Sequence, residues 1–474
     1  MGFLPDVEIA IKDGGLGRVA SGDDALGAIG VGSVPQSAVV TLSSFEEVSE
    51  KVGDGPLRDF LEGVYSQVNV PCYVRVLPGT TQGTISSVTA NSDNAGVGSL
   101  TVSGAPANCY MFEIVIESDG GLNAATFRVK KNGLLGDANT IPADGSYTIP
   151  STGIVLTFSA GSPSPSEVSF KEGDRFSFTT SCPSATNAEL LAAVDQIKNS
   201  GAALRHIAVA GSTAKAFWAA FATKLEAFTG EHLWTWGSAA LRARNDGEST
   251  DAYISALVGS ERGSVESKRL MVSANWFDGV DIEGYKSERN VHGKVVGRIF
   301  EIGVAISPGW TRLGNLPGVE SLLYGVTPAQ IKSLEDAGYA TCRYYDGKRG
   351  VYVSDSHLMT DETSDFDTST RIEVMNKACR LVREAQFPYL RQGFDVLSDG
   401  RVPELAQVAA AGEQALDSMA KDKEISSGRI VLEENQNILS TKRITEEILI
   451  IPRGQLDEIR ATIQFENPAL GGGE

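Results

Sequence analysis

Apolar residues along this chain recur with two periods, and the period changes several times. Val7-Glu8-Ile9-Ala10-Ile11 alternates as a short strand does, and glycine-rich turns follow it. Leu57, Phe60, Leu61 and Val64 keep helical spacing over 57–67, and 70–77 reads as a strand. Between 84 and 183 the helical period disappears. Short β-type runs at 98–103, 110–117, 125–130, 154–159 and 175–180 alternate with turns such as Asp119-Gly120-Gly121 and Lys131-Asn132-Gly133. This predicts a small all-β sandwich or barrel inserted into an otherwise α/β chain.

Helices return at Thr186-Asn187-Ala188-Glu189, which has the form of a capping box, with Leu190, Leu191, Val194 and Ile197 behind it. A strand is expected at 204–210, then a helix striped by Phe217, Phe221, Leu225 and Phe228. Strand-like stretches at 232–236 and 269–274, with helices near 250–258 and 290–306, continue a β-α-β rhythm. Thr327-Pro328-Ala329-Gln330 opens another capped helix that Gly338 closes. A hairpin is expected over 340–345 and 350–353, then helices from about 369 and over 403–421. The chain ends on β-type residues around Ile444 and Ile448, and on an alternating strand at 456–466. The fold class is therefore α/β (α+β) and multidomain, with mixed sheets and covering helices plus the inserted all-β domain. The expected divisions are 1–83 (N-terminal strand and first part of the α/β domain), 84–183 (insert), 184–326 (remainder of the α/β domain) and 327–474 (C-terminal domain).

Composition narrows the function classes. With 41 basic and 60 acidic residues the net charge is −19, a surface that repels phosphate backbones, so no nucleic-acid partner is expected. No apolar run approaches the roughly 20 residues of a membrane span. The start Met1-Gly2-Phe3-Leu4-Pro5 lacks the basic and apolar regions of a signal peptide, which points to a protein made and kept in a cytosol. The 51 glycines predict many tight turns. Five cysteines, Cys72, Cys109, Cys182, Cys342 and Cys379, form no CxxC pair and read as buried small hydrophobes.

Candidate chemistry is sparse. His206, His232, His292 and His357 lie far apart in sequence without ligand-type spacing, so no metal is expected. Ser212-Thr213-Ala214-Lys215 matches the S-x-x-K of penicillin-recognising enzymes, but Ser92-Asp93-Asn94 precedes it and no Lys-Thr-Gly follows. Ser212 reads instead as a helix cap. Asp355-Ser356-His357 sets triad residue types side by side, whereas triads assemble from separated elements. The acidic run Asp361, Glu362, Asp365 and Asp367 lacks the spacing of a calcium loop. Trp234, Trp236, Trp276 and Trp310 read as packing residues. No catalytic residue and no cofactor are expected.

Both chain ends are amphipathic strands. Val7, Ile9 and Ile11 at the start, and Ile459, Ala461, Ile463 and Phe465 at the end, occupy alternate positions. A strand of this kind pairs within its own domain or adds to a neighbour's sheet, and head-to-tail addition makes an open helical polymer. The order of elements through "AGYATCRYYDGKRGVYVSDSHLM", the acidic loop and "TRIEVMNKACRLVREAQFPYL" resembles the C-terminal core of contractile tail sheath proteins. The ending "RITEEILIIPRGQLDEIRATIQF" and the opening "FLPDVEIAI" are similar to that family's terminal strands. Pro5-Asp6-Val7 in place of Pro-Gly-Val, and Asp355-Ser356-His357-Leu358 in place of Gly-x-Arg-Thr, mark a divergent branch.

The resemblance implies a sheath subunit that stacks in six-fold rings around a tail tube and contracts to drive the tube through a cell envelope. Its partners would be itself, the tube, the baseplate and the tail terminator, with neither nucleic acid nor membrane insertion involved. Its place would be the tail of a virion or contractile particle, after synthesis in the bacterial cytoplasm. The insert would be an outer decoration. Two other readings are a different tail or baseplate component, such as a glycan-binding adhesin, and a serine hydrolase using Ser212 and Lys215.

Overall fold

A computed structural model describes residues 25–161, 169–361, 363–433, 436–463 and 465; the expected strand carrying Val7, Ile9 and Ile11 lies outside them. The chain divides into two compact units, Met1–Asn376 and Lys377–Glu474.

The first unit begins with β1 (Ala25–Val31), β2 (Val40–Leu42), α1 (Val48–Lys51), α2 (Pro56–Tyr65) and β3 (Cys72–Leu77). β1 is a glycine- and alanine-rich strand where turns were expected. Its alternate residues enter two different cores, Leu26 and Ala28 on one face and Ala25 and Ile29 on the other. A strand buried on both faces shows no polar alternation, so the pattern hides it.

The insert follows as β4 (Thr89–Ala90), β5 (Ser99–Gly104), β6 (Met111–Ser118), β7 (Thr126–Lys131), β8 (Leu134–Thr140), β9 (Ser146–Ile149), β10 (Ile154–Ser159) and β11 (Arg175–Thr179). These form sheets ordered β5-β10-β9 and β4-β11-β6-β7-β8. Alternate residues of both, among them Ile114, Phe127, Leu156, Phe158 and Phe178, fill a core of their own. The segment enters and leaves at one neck, where Thr81 and Ser184 exchange two backbone hydrogen bonds of 2.9 Å. Cys109 and Cys182 form a disulfide near that neck with Cα atoms 4.5 Å apart, contrary to the expectation of five buried thiols. Cys109 is exposed, and the two lie 73 positions apart with most of the insert between them, so their spacing gave no sign of the pairing.

The chain then returns to the first sheet through α3 (Asn187–Lys198), β12 (Leu204–Thr213), α4 (Lys215–Gly230), β13 (Trp236–Leu241), α5 (Thr250–Ala256) and β14 (Leu270–Ser273). The Thr186/Glu189 capping box forms as expected. The strand expected at 232–236 lies instead at 236–241, where every residue is buried. The completed sheet runs β14-β13-β12-β1-β3-β2, parallel except for β2. Beyond it, β15 (Trp276–Val280), β16 (Lys286–Asn290), α6 (His292–Glu301) and β17 (Val319–Leu322) include a small antiparallel sheet, β16-β15-β17, that the pattern did not reveal.

Helix α7 (Pro328–Asp336), with its Thr327/Gln330 capping box, and the hairpin β18 (Thr341–Arg343) and β19 (Tyr352–Asp355) complete this unit, and α8 (Ser369–Gln386) runs past its end. The first unit thus extends beyond residue 327, because Leu334 and Tyr339 join one of its cores and Cys342, Val353 and Leu358 the other. The second unit contains the end of α8, α9 (Leu405–Lys421), β20 (Ile425–Leu432), α10 (Ile438–Thr441) and β21 (Glu446–Pro452).

Helices α2 and α6 cross backbone to backbone. A Cβ on Gly63 would stand 2.7 Å from the carbonyl carbon of Gly293. Beside the crossing, Glu62 is 1% exposed and accepts from Lys294 Nζ at 3.2 Å and from Arg289 Nη1 at 3.1 Å.

Two histidines that are distant in sequence meet in the core. Ser238 Oγ on β13 is 2.6 Å from Nε2 of His206 on β12 and 2.6 Å from Nε2 of His292 on α6. One hydroxyl can donate to one ring and accept from the other, an arrangement that two neutral imidazoles satisfy. Burial lowers both pKa values, that of His292 to about 3. Between about 3 and the usual 6.5 the unfolded chain binds the proton and the folded chain does not, so stability falls as pH drops through this window. We expect His292→Gln to remove up to about 1.4 kcal/mol per pH unit from the slope of unfolding free energy between pH 4 and 6. Urea titrations at several pH values measure it, and an unchanged slope contradicts the assignment.

Candidate assembly interface

In the second unit, residues of α9 at helical spacing, Leu405, Val408, Ala409, Leu416 and Met419, are buried together with Ile425 and Ile430 of β20. The contact is close because glycines stand on both sides. A Cβ on Gly428 would lie 2.9 Å from Leu416 Cβ, and one on Gly412 would strike Ile430. β20 pairs antiparallel with β21, with Ile430 opposite Ile448 and Gly428 opposite Ile450. The pattern alone reveals β21 through Ile448 but not β20, whose Ser426, Ser427 and Gly428 blunt the alternation.

Among the described residues these two strands form a sheet of only two, with no further strand on either edge. A lone hairpin of this kind carries unpaired amides and carbonyls along its outer rims. Val431 and Ile451 are exposed on it.

After Pro452 the chain has no regular structure through 463, and every residue there is exposed. Ile459 is 78% exposed, Ile463 95%, and Phe465 fully so, while Ala461 between them is also exposed. Over its described residues, 456–463 and 465, the expected strand is not formed. A strand needs a ladder partner, and none is present among the described residues. Four apolar side chains at alternate positions stand exposed among the described residues, an arrangement that marks interaction surfaces.

The other candidates are scattered. Ser212 is exposed at the end of β12, and no hydrogen bond joins it to Lys215. It does not cap α4, whose N-cap is Ala214. His357 Nε2 is 3.7 Å from Asp355 Oδ2, while Ser356 accepts from Ser369 in the interior, so no triad assembles. Asp361 accepts from Thr363 within its own loop. Among the described residues no three His, Cys, Asp or Glu side chains converge on a metal position, and no helix is long and apolar enough to cross a membrane. Trp236 is buried and donates to Glu373 at 3.2 Å, and Trp310 is exposed.

The sequence profile of the DUF2586 N-terminal domain matches residues 4–357, and that of the DUF2586 C-terminal domain matches 365–470. The chain belongs to the DUF2586 family. No curated protein matches this DUF2586 chain in sequence. Its fold is similar to that of a chain in the contracted PVC sheath complex of an extracellular contractile injection system. That match has 10% identity and a TM-score of 0.55, and covers 98% of each chain. It is also similar to a chain in the six-fold symmetrised baseplate of the anti-feeding prophage, at 12% identity and a TM-score of 0.53, covering 98% of this chain and 100% of that one. The sheath tail protein of Desulfitobacterium hafniense matches at 13% identity with a TM-score of 0.48, covering 95% and 100%. The DUF2586 fold is thus shared with chains of contractile particles over essentially its whole length.

Because the tail side chains are exposed among the described residues, we expect the combined change Ile459→Ser, Ile463→Ser and Phe465→Ser to shift the unfolding free energy of unassembled protein by less than about 0.5 kcal/mol. Urea denaturation checks this. A loss of about 2 kcal/mol or more would place the tail in the chain's own core.

Proposed function

We propose that the chain is the structural subunit of a contractile tail sheath, polymerising around a tail tube and contracting to drive that tube through a target cell envelope. The observation that carries the reading is the likeness in fold to a chain of a contracted sheath complex, which extends over 98% of both chains. The exposed, alternating C-terminal tail agrees with it, since a polymer of this kind needs tethers between copies.

In this reading the tail strand, with Ile459, Ala461, Ile463 and Phe465 on one side, adds to the sheet of a neighbouring copy, and the strand around Val7, Ile9 and Ile11 does the same. Main-chain hydrogen bonds supply the strength, and the alternate side chains fix the register. A tether of this kind moves with the domain it joins, so it survives the passage between two discrete packings of rigid subunits. The work is mechanical, with no catalytic step. The partners are further copies in six-fold rings, the tail tube, the baseplate and the terminator. The subunit is made in a bacterial cytoplasm and works in the tail of a virion or related particle.

Residues 84–183 form an outer decoration in this scheme. The single neck at Thr81 and Ser184 supports their being dispensable for assembly, because a short turn can replace everything beyond it.

A second reading, a baseplate component, draws on the likeness to a chain of the anti-feeding prophage baseplate. Electron microscopy of purified protein separates the two: striated hollow cylinders for a sheath, discrete rings or single copies for a baseplate part. Deleting residues 455–474 is expected to leave soluble, folded protein that forms no long tubes, whereas a short turn in place of 84–183 leaves tube formation intact. Normal tubes from the tail deletion would overturn the strand-addition mechanism.

A further inference from the structure

The insert meets the rest of its unit at the neck and also at a second foothold. Asn108 Nδ2 donates to Asp54 Oδ1 at 3.1 Å and to Asp59 Oδ2 at 3.0 Å, and the Tyr110 hydroxyl donates to Asp54 Oδ2 at 2.8 Å. In addition, the Lys286 amide of β16 donates to the Asn132 carbonyl of the insert at 2.8 Å. These contacts are polar, and the insert's apolar core is separate from the two cores of the α/β part. Two cavities adjoin the foothold, one of about 650 Å³ beside Pro56 and Gly293 and one of about 720 Å³ beside Asp54 and Arg58, and Tyr110 and Asn132 line both. Polar contacts bordered by open space resist displacement less than a close-packed core does.

The Cys109–Cys182 disulfide joins these two attachments. Cys109 lies between Asn108 and Tyr110 of the foothold, and Cys182 lies just before Ser184 of the neck. Hydrogen bonds run alongside it: Thr180 Oγ1 donates to the Asn108 carbonyl at 2.8 Å and accepts from the Tyr110 amide at 2.9 Å. Such bonds open locally in solution, whereas a covalent bond does not. Cys109 is exposed, and both cysteines border the first cavity, so a small thiol compound can reach them. Cys72 and Cys342 are fully buried instead. Burial pushes both thiols up, that of Cys72 to about 12, which keeps them protonated and unreactive.

We propose that Cys109 and Cys182 are a redox-set latch. Oxidised, they lock the foothold to the neck and hold the insert still; reduced, they let the insert rock about the neck. Closing proceeds by exchange with a small-molecule disulfide, here oxidised glutathione. The Cys109 thiolate attacks one glutathione sulfur, breaks the glutathione disulfide and expels one glutathione thiolate. The Cys182 thiolate then attacks the Cys109 sulfur of the mixed disulfide and expels the second. Two electrons pass to glutathione, and the two protons given up by the protein thiols go to the expelled thiolates. Excess reduced glutathione runs the same steps backwards. The latch is independent of strand addition, and it stands whether or not the chain forms a sheath.

The test uses the purified, unassembled full chain, poised with either oxidised or reduced glutathione. Peptide mass mapping should find Cys109 and Cys182 cross-linked in the first sample and present as two thiols in the second. The Lys286 amide touches the insert through Asn132 and not through the cysteines, so it reports motion of the insert as a body. Its hydrogen exchange should be at least about tenfold faster in the reduced chain, with the amides of β13 unchanged. The double change Cys109→Ser, Cys182→Ser should exchange like the reduced chain under both conditions. Failure of the two cysteines to cross-link, equal exchange at Lys286 in the oxidised and reduced natural chain, a matching change at β13, or a response to glutathione in the double variant would each overturn the proposal.

Discussion

The crossing of α2 and α6 is the constraint on which the first unit depends. Helix α2 precedes the insert and α6 follows it, so the contact closes the part of the chain that the insert would otherwise hold open. Gly63 and Gly293 permit the approach, since any side chain at either position would meet the opposite backbone. The approach in turn buries Glu62, Arg289 and Lys294. A buried ionic cluster is tolerated only when its members satisfy one another, and loss of one partner costs about 3–5 kcal/mol. Glycine contact and charge network are therefore coupled. The first allows the helices to meet, and the second penalises any shift once they have met.

From this crossing the rest of the unit follows. Phe60 of α2 packs its ring 4.7 Å from His292 of α6, whose other side reaches Ser238 and His206 on the sheet. Arg205, next to His206, is held by Glu373 at 2.8 and 2.9 Å, which fixes the start of α8 to the same sheet. The crevice beside Pro56 and Gly293 is the space left where the helices, the strand ends and the insert meet.

What the sequence made legible was whatever faces solvent on one side. Helices with a capping box and one apolar stripe, such as 187–198 and 328–336, were found with little error, as were the half-exposed strands of the insert. β1 and β13 were missed or displaced because both their faces are buried and their residues are small, so neither period nor composition marks them. The Cys109–Cys182 disulfide and the His206–Ser238–His292 contact are products of topology, which no spacing encodes. The alternation at 459–465 was plain in sequence, yet the structure leaves those residues unpaired. Alternation specifies which side chains share a face and says nothing of where the partner strand comes from.

Among the described residues, the C-terminal unit therefore presents a two-stranded sheet with no further strand on either edge and an exposed apolar tail. The two are complementary in kind: an edge lacks a strand, and the tail is a strand lacking an edge. A formal net charge of −19 sets copies of the chain to repel one another at long range. The most direct measurement is hydrogen exchange at the amides of 456–463, in the free chain and in purified assemblies. Strand addition between copies requires fast exchange in the free chain and at least about tenfold slower exchange in the assembly. Equal exchange in the two states would contradict it.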